Sequence, residues 1–105
     1  MNCELKVAGY LGIAQKAGKV AAGDSAVLAA LENRRACLVL VATDAASGVR
    51  EEIIAKSQAQ GLPFITWGNK ITLGLCVGKS QRGAVAILDK GLANAIQKLL
   101  DAECL

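Results

Sequence analysis

The sequence lacks histidine altogether, and it contains one proline and one residue each of Phe, Trp and Tyr among 105 residues. Without histidine, the chain has no side chain of the type most often used as a general base or a metal ligand. With so few aromatic rings, it is poorly suited to build a stacking platform for single-stranded nucleic acid. The longest apolar run, residues 36–42, is far shorter than the roughly 20 residues that a membrane-spanning helix needs.

The amino-terminal residues also lack the apolar core of a signal peptide. Charged and glycine residues interrupt this stretch at Glu4, Lys6, Gly9 and Gly12, whereas a signal peptide has an uninterrupted apolar segment. We therefore expect a soluble, cytoplasmic protein with no membrane partner.

The cysteines are widely scattered along the chain. The four cysteines form no C-x-x-C pair, which argues against a zinc site. Cys37 and Cys76 lie in apolar stretches, which is typical of buried, reduced thiols. Cys3 and Cys104 lie near the two ends of the chain and can meet only if the terminal helices pack together. We expect free thiols, no metal and no cofactor.

Apolar residues are abundant enough for one core. Hydrophobic residues make up 53% of the chain and charged residues 20%, a balance that excludes intrinsic disorder. A chain of this length buries roughly two-thirds of its unfolded surface. Since no internal repeat or Pro/Gly/Ser-rich linker interrupts the sequence, we expect residues 1–105 to form a single domain.

Helical and strand patterns alternate along the chain. Apolar spacing and caps predict five helices, at residues 4–17, from the Gly23–Ser25 cap to about residue 33, at 47–60, at 69–76 and from residue 89 onwards. Four strands are predicted between them, at residues 19–21, 37–42, 64–67 and 83–88. Ser47, Asn69 and Asp89 are the expected N-caps of the last three helices. The strand at 37–42 is apolar without alternation, so we expect both of its faces to be buried. The alternation predicts an α/β fold, a three-layer α/β/α sandwich.

Positive charge is concentrated in one part of the sequence. The formal net charge is only +3, but no Asp or Glu occurs between residues 53 and 88, where Lys56, Lys70, Lys79 and Arg82 are found. Such a basic stretch favours a phosphate-bearing partner, hence nucleic acid. A solvated surface without a partner is the alternative.

Two segments are suited to binding an anion. Gly23-Asp24-Ser25 opens a helix whose free backbone N–H groups form a ready phosphate site. Lys16 and Lys19 lie just upstream. The second segment is the polar loop Lys79-Ser80-Gln81-Arg82-Gly83. If both segments lie at one edge of a sandwich, they can grip an irregular RNA backbone.

Catalytic motifs are weak by comparison. Residues 74–80 resemble a nucleotide-binding P-loop but have three residues between the glycines instead of four, and they follow a predicted helix where a P-loop follows a strand. Asp44 comes just after an apolar strand, where α/β folds often place chemistry, yet it has no histidine partner. We expect no catalytic residue, and an enzyme that uses Asp44 or a cysteine is the least favoured alternative.

Four blocks of sequence follow one another in a fixed order: Leu11-Gly-Ile-Ala-Gln-Lys-Ala-Gly-Lys-Val-Ala-Ala-Gly23, Leu38-Val-Leu-Val-Ala-Thr-Asp-Ala45, Gly78-Lys79 and Val85-Ala-Ile-Leu-Asp-Lys-Gly91. Through these blocks the sequence resembles the ribosomal L7Ae/L30e family over about residues 5–100, and within it the small bacterial members most closely. The resemblance implies a mixed four-stranded sheet between helices and an RNA-binding, ribosome-associated protein without catalysis. Structured RNA, a kink-turn or ribosomal RNA, is the implied partner, and a ribosomal or other protein partner is possible.

The resemblance also implies where the RNA binds. In this family the start of the second helix enters the kink and contacts its tandem G·A pairs, and the loop before the last strand covers the extruded nucleotide. These regions correspond to Gly23–Ala29 and Lys79–Gly83. The expected RNA-binding residues are therefore Lys16, Lys19, Gly23, Asp24, Ser25, Lys79, Ser80, Gln81, Arg82 and Gly83.

The helix start departs from the pattern of the strong RNA binders, G-x-N-E-x-x-K. In this chain Gly23 is kept, Ser25 stands for Asn, and Ala26 and Ala29 stand for Glu and Lys. An alanine side chain cannot hydrogen-bond to a base edge. A protein-interaction module on the same fold, with a decayed RNA-binding edge, is therefore the second interpretation.

Overall fold

Helices and strands alternate as the sequence patterns predict. The computed structural model describes the backbone of residues 3–104 and the side chains of residues 5–100. In chain order, its elements are α1 Cys3–Lys16, β1 Val20–Ala22, α2 Asp24–Glu32, β2 Leu38–Val41, α3 Ser47–Ala59, β3 Phe64–Thr66, α4 Lys70–Cys76, β4 Ala84–Ile87 and α5 Lys90–Cys104. None of the helices in this described part is long and apolar enough to cross a membrane.

The four strands form one mixed sheet in the order β1-β4-β2-β3. Strand β4 pairs antiparallel with β1 and with β2, whereas β2 and β3 are parallel. The expected mixed four-stranded sheet is thereby confirmed. The short β1 lies one residue later than the sequence predicts, and it is an outer strand paired only with β4.

Helices cover both faces of the sheet, so the three-layer sandwich is confirmed. On β2, Leu38 and Leu40 face a core shared with α1, α4 and α5. Val39 and Val41 face the opposite core, shared with α2 and α3. All four side chains are fully buried, as predicted. Burying an aliphatic side chain of this kind stabilises the fold by about 1.5–3 kcal/mol.

Two of the predicted helix caps are confirmed. The Asn69 carboxamide oxygen accepts a hydrogen bond of 2.8 Å from the Thr72 N–H group at the start of α4. The Asp89 carboxylate accepts one of 2.9 Å from the Leu92 N–H group at the start of α5. Each bond satisfies one N–H group that has no partner within its own helix.

The prediction of Ser47 as the cap of α3 is wrong. The Ala46 carbonyl accepts the first helical bond, from the Arg50 N–H group at 2.9 Å, so Ala46 is the cap and Ser47 already belongs to the helix. At α2, Gly23 is the cap, because its carbonyl accepts from the Val27 N–H group at 2.9 Å. Neither helix start has a side-chain cap.

Helices α1 to α4 end in the same way: the residue after the C-cap has the left-handed backbone conformation, with a positive φ. In three of these helices that residue is a glycine: Gly18, Gly61 and Gly78, with φ of 71°, 69° and 69°. After α2 it is Arg34, with φ 55°. There the Arg34 N–H group donates to Leu31 and the Arg35 N–H group to Ala30, at 3.1 and 2.9 Å, as in a Schellman motif. A Cβ makes this conformation unfavourable.

The strands end at two opposite edges of the sheet. The upper edge, where β1, β2 and β3 end and β4 begins, consists of residues 22–25, 42–46, 67–70 and 78–83. The lower edge consists of residues 16–19, 33–37, 60–63 and 88–90. Helices α2, α3 and α4 begin at the upper edge, and α5 begins at the lower edge.

Candidate functional site

The two segments singled out in the sequence meet at the upper edge. The Gly23 N–H group donates to the Ala84 carbonyl at 2.9 Å, which joins the end of β1 to the start of β4. A Cβ on Gly23 would lie 3.3 Å from Cδ and 3.5 Å from Nε of Arg82. The Arg82 side chain therefore lies against the helix start, and the two segments form one surface.

Gly23 is required here by its backbone conformation. Its φ is 103°, which an L side chain rarely adopts, and a Cβ would also press on Arg82. Because glycine has no side chain, it leaves the N–H groups of the first turn of α2 without a side-chain acceptor. Ser25 lies exposed in this turn. The helix start thus offers N–H groups and one hydroxyl to an anionic or hydrogen-bonding ligand.

Hydrogen bonds within the Lys79–Gly83 loop hold Arg82 in place. Its Nη1 donates to the Ser80 hydroxyl at 3.0 Å and to the Gln81 carbonyl at 2.9 Å. A guanidinium has five N–H donors, so these two bonds leave capacity for a phosphate. Lys79, Ser80 and Gln81 are exposed, and Arg82 is half-buried. The loop thus presents one cation in a fixed orientation, Arg82, and a second, Lys79, exposed beside it.

The position of this loop depends on close packing against α4. A Cβ on Gly74 would fall on the carbonyl oxygen of Ser80, so only glycine allows the loop to approach the helix this closely. The Lys79 N–H group donates to the Gly74 carbonyl at 2.8 Å. A glycine inside α4 therefore sets the place of the loop, a role that the sequence analysis missed.

Asp24 and Gly83 are in contact across the same surface. A Cβ on Gly83 would lie 3.0 Å from the Asp24 carboxylate oxygen Oδ1. Asp24 is half-buried in the first turn of α2, where a carboxylate interacts favourably with the helix dipole. The carboxylate faces the loop and lowers the positive potential that Lys79 and Arg82 create.

Lys70 connects three loops of the upper edge through its backbone, a role that its charge in the sequence did not indicate. Its backbone N–H group donates to the Asp44 carboxylate at 2.8 Å. Its carbonyl accepts from the Arg82 N–H group at 3.0 Å. Asp44, the candidate for chemistry in the sequence, is thus occupied in tying the loop after β2 to the start of α4. The parallel pairing of β2 and β3 brings these segments together, and no local sequence signal reports it.

Lys16 and Lys19 lie at the lower edge, although the sequence analysis grouped them with the helix start. The Lys19 carbonyl accepts from the Leu88 N–H group at 2.8 Å, at the end of β1 opposite Gly23. Lys19 and Gly23 are four residues apart on an extended strand, so their backbones are separated by about 13 Å. These two lysines are exposed, but the structure does not bring them to the other candidate residues.

The cysteines of the described side chains are free thiols. Cys37 and Cys76 are half-buried, less deeply placed than the sequence predicts. Burial raises the pKa of the Cys76 thiol above its ordinary value, so its reactive thiolate is disfavoured. The side chains of Cys3 and Cys104, whose pairing the sequence left open, lie outside the described residues.

Comparisons with known proteins agree on one family. A model of the Ribosomal protein L7Ae/L30e/S12e/Gadd45 family matches residues 6–97. The chain is 36% identical over 91 residues to "RNA-binding protein YlxQ" of Bacillus subtilis, an alignment that covers 87% of this chain and 91% of the relative. It is 26% identical over 96 residues to "RNA-binding protein YlxQ" of Enterococcus faecium, with 91% and 92% covered.

Solved structures share the fold. A protein of unknown function from Bacillus halodurans superposes with a TM-score of 0.87 at 27% identity, covering 91% of this chain and 97% of the other. The 15.5kD RNA binding protein of Giardia lamblia gives a TM-score of 0.77 at 18% identity, covering 95% and 86%. The latter likeness concerns the fold alone.

Proposed function

The chain belongs to the ribosomal protein L7Ae/L30e/S12e/Gadd45 family, and from this premise we propose that it binds structured RNA at its upper edge without catalysis. The RNA class we propose is the kink-turn, or a ribosomal RNA segment with a similar sharp bend. The proposal includes a cytoplasmic, ribosome-associated role, as expected from the sequence.

The contact between Gly23 and Arg82 is the observation that carries this proposal. It unites the start of α2, which has no side-chain cap, with the cationic loop, and each segment alone is a weak site. Helices α3 and α4 also begin at this edge, so the positive ends of three helix dipoles converge on it. A bent RNA backbone, which brings several phosphates close together, fits such a surface.

The contacts divide into two kinds. Lys79 and Arg82 position phosphates by charge, which carries little sequence information. Gly23 and Ser25 provide local recognition, because a backbone N–H group and a hydroxyl form directed hydrogen bonds. Ala26 and Ala29 contribute no base contact by their side chains, so we expect recognition of the bend to depend mainly on shape.

A titration with a kink-turn RNA and with a plain duplex of equal length tests this function. Lys79→Ala weakens both complexes and lowers the slope of log affinity against log salt by about one unit, since one counterion fewer is released. Lys98→Ala, which removes an exposed lysine from α5, leaves the slope unchanged. Failure of both RNAs to bind at low salt contradicts the proposal.

Ser25→Ala tests local recognition separately. Loss of one hydrogen bond reduces the preference for the kinked RNA by about 1 kcal/mol and leaves duplex binding unchanged. Tyr10→Phe, which removes a hydroxyl group from the middle of α1 beside α5, is the control and preserves the preference. A preference for the kink that survives Ser25→Ala rules out this part of the proposal.

A protein partner is a second candidate function, and one observation favours it. Ile71 and Leu75 lie one turn apart on α4 and are 57% and 72% exposed. Two large apolar side chains on one helix face are suited to contact with another protein. If a protein partner binds at α4, the double substitution of Ile71→Ser with Leu75→Ser abolishes binding of that partner. Lys79→Ala and Ser25→Ala then have no effect on its binding.

A further inference from the structure

The lower edge carries a group of exposed cations that the proposed RNA site does not use. They are Lys16, Lys19, Arg34, Arg35 and Lys90. Within the part of the chain whose side chains are described, none of the five is held by an ion pair. Glu32, at the end of α2, and Asp89 are the nearby carboxylates, and the Asp89 carboxylate already accepts a hydrogen bond as the cap of α5.

Backbone hydrogen bonds place these cations side by side. The Leu88 N–H group donates to the Lys19 carbonyl at 2.8 Å, and the Cys37 N–H group to the Ile87 carbonyl at 2.7 Å. The ends of β1, β4 and β2 are therefore adjacent, at about 4.8 Å between neighbouring strands. Arg35 is two residues before Cys37 and Lys90 two residues after Leu88, so Lys19, Lys90 and Arg35 follow the order of the three strands along the edge. With Lys16 and Arg34, which precede Lys19 and Arg35 in the chain, we call these cations the row.

Helix dipoles explain only part of this row. Lys16, Arg34 and Arg35 lie at the carboxyl ends of α1 and α2, where positive charge is favourable. Lys90 is the first residue of α5, where the dipole disfavours a cation. Arg34 has φ 55° at a position where the other three helices have glycine. Two cations thus occupy positions that their local backbone disfavours.

A groove with hydrogen-bonding side chains adjoins the row. It runs between the start of α5 and the loop before β3, and Lys90, Asn94, Gln97, Cys37 and Pro63 line it. Asn and Gln carboxamides both donate and accept hydrogen bonds, which suits ribose hydroxyls and phosphate oxygens beside a cation. A row of free cations next to amide groups fits a sugar-phosphate backbone better than an acidic protein surface, which has no hydroxyl groups at regular spacing.

We infer that the lower edge is a second RNA-binding surface, which holds the backbone of an RNA duplex by its phosphates, without reading sequence. The inference extends the proposed function, because the same chain would then hold two RNA segments at opposite edges of one sheet. Charge supplies most of the binding here, so this second contact depends strongly on salt.

Neutralisation of the row tests the inference. Lys19→Gln, Arg35→Gln and Lys90→Gln are combined in one variant, and binding of a plain RNA duplex is measured from low to moderate salt. We expect the salt slope to fall by about two to three units and the preference for a kink-turn RNA to persist. The control combines Lys6→Gln on α1 with Lys98→Gln on α5, which removes two charges away from the lower edge and leaves the slope unchanged.

The outcomes separate the two surfaces. An unchanged duplex slope in the lower-edge variant overturns the inference, even where Ser25→Ala reduces the kink preference and so supports the upper edge. Unchanged duplex binding with weaker binding of a polyglutamate peptide overturns it in favour of an acidic protein partner. Weaker duplex binding supports it, even if the native chain shows no kink preference and the proposed function fails.

A second measurement needs no substitution. Cys37 lines the groove at the lower edge, so its rate of alkylation by iodoacetamide, followed by mass spectrometry of the Cys37 peptide, reports occupancy there. We expect saturating RNA duplex to slow alkylation of Cys37 several-fold and to affect Cys76 on α4 less. Equal rates for Cys37 with and without RNA contradict a duplex seated at this edge.

Discussion

The upper and lower edges are the two ends of the same four strands, yet they present positive charge in different ways. At the upper edge Arg82 is half-buried, and hydrogen bonds within its own loop fix its guanidinium. Asp24 and Asp44 lie nearby and reduce the net charge. At the lower edge five cations are exposed. Backbone hydrogen bonds hold the chain there in place, but the described side chains of these cations are not fixed by hydrogen bonds as that of Arg82 is.

This difference indicates different kinds of binding. A surface with fixed donors and a local balance of charge can distinguish one RNA shape from another, because a misplaced partner leaves polar groups unpaired. A surface with free, flexible cations attracts any phosphate backbone and is screened by salt. We therefore expect specificity from the upper edge and salt-sensitive affinity from the lower edge.

The largest effect is expected from the core that supports both edges. Leu40→Ala removes a fully buried side chain from β2 and lowers the free energy of unfolding by about 2–5 kcal/mol, measured by urea denaturation. Leu5→Ala, at a position 68% exposed, changes it by less than about 0.5 kcal/mol. Equal stabilities of the two variants would contradict the burial of β2.

A smaller effect distinguishes the upper edge alone. In Gly74→Ala the new methyl group meets the Ser80 carbonyl, so the loop must shift, at a cost of about 1–3 kcal/mol in unfolding free energy. In the folded variant we expect a weaker preference for kinked RNA, whereas protection of Cys37 by duplex RNA at the lower edge is unchanged. Gly9→Ala, where a Cβ meets nothing within 4 Å, raises stability by about 0.5–1 kcal/mol and serves as the control.

The lower edge is expected to respond with the opposite sign. Arg34→Gly removes a Cβ from a residue with φ 55° and raises the unfolding free energy by about 1 kcal/mol, while the salt slope for duplex RNA falls by about one unit. Gly61→Ala, at the same position of α3 with φ 69°, is the converse control and lowers stability by about 1 kcal/mol. A destabilised Arg34→Gly variant would show that Arg34 is retained for the fold.

The smallest effect concerns the Cys76 thiol at the end of α4. Because burial raises the pKa of Cys76, its thiolate fraction at pH 8 is lower in the folded protein than in the unfolded chain. Iodoacetamide should therefore label Cys76 more slowly in the folded state, and the difference should shrink as the pH rises. An equal rate in both states at pH 8 would show that the Cys76 thiol titrates like a solvated one.

Much of the fold was predictable because its signals are local. The order of helices and strands follows from apolar spacing, and Asn69 and Asp89 cap helices because a side-chain oxygen beside a helix start bonds a free N–H group. The burial of Leu40 and its neighbours on both faces follows from an apolar run without alternation. The prediction of a cap at Ser47 was wrong, because α3 begins one residue earlier than a serine cap requires and Ala46 is its cap without a side-chain hydrogen bond.

The candidate site was only partly predictable, because it depends on which strands are neighbours. Composition and local pattern by themselves determined that two segments, Gly23–Ser25 and Lys79–Gly83, are suited to phosphate. Only the tertiary structure decided that β1 pairs with β4, which brings Gly23 to Arg82, and that the same pairing carries Lys19 to the opposite edge. Sequence proximity placed Lys19 beside Gly23, but an extended strand separates its ends by its full length, and this separation gives the molecule two distinct basic surfaces.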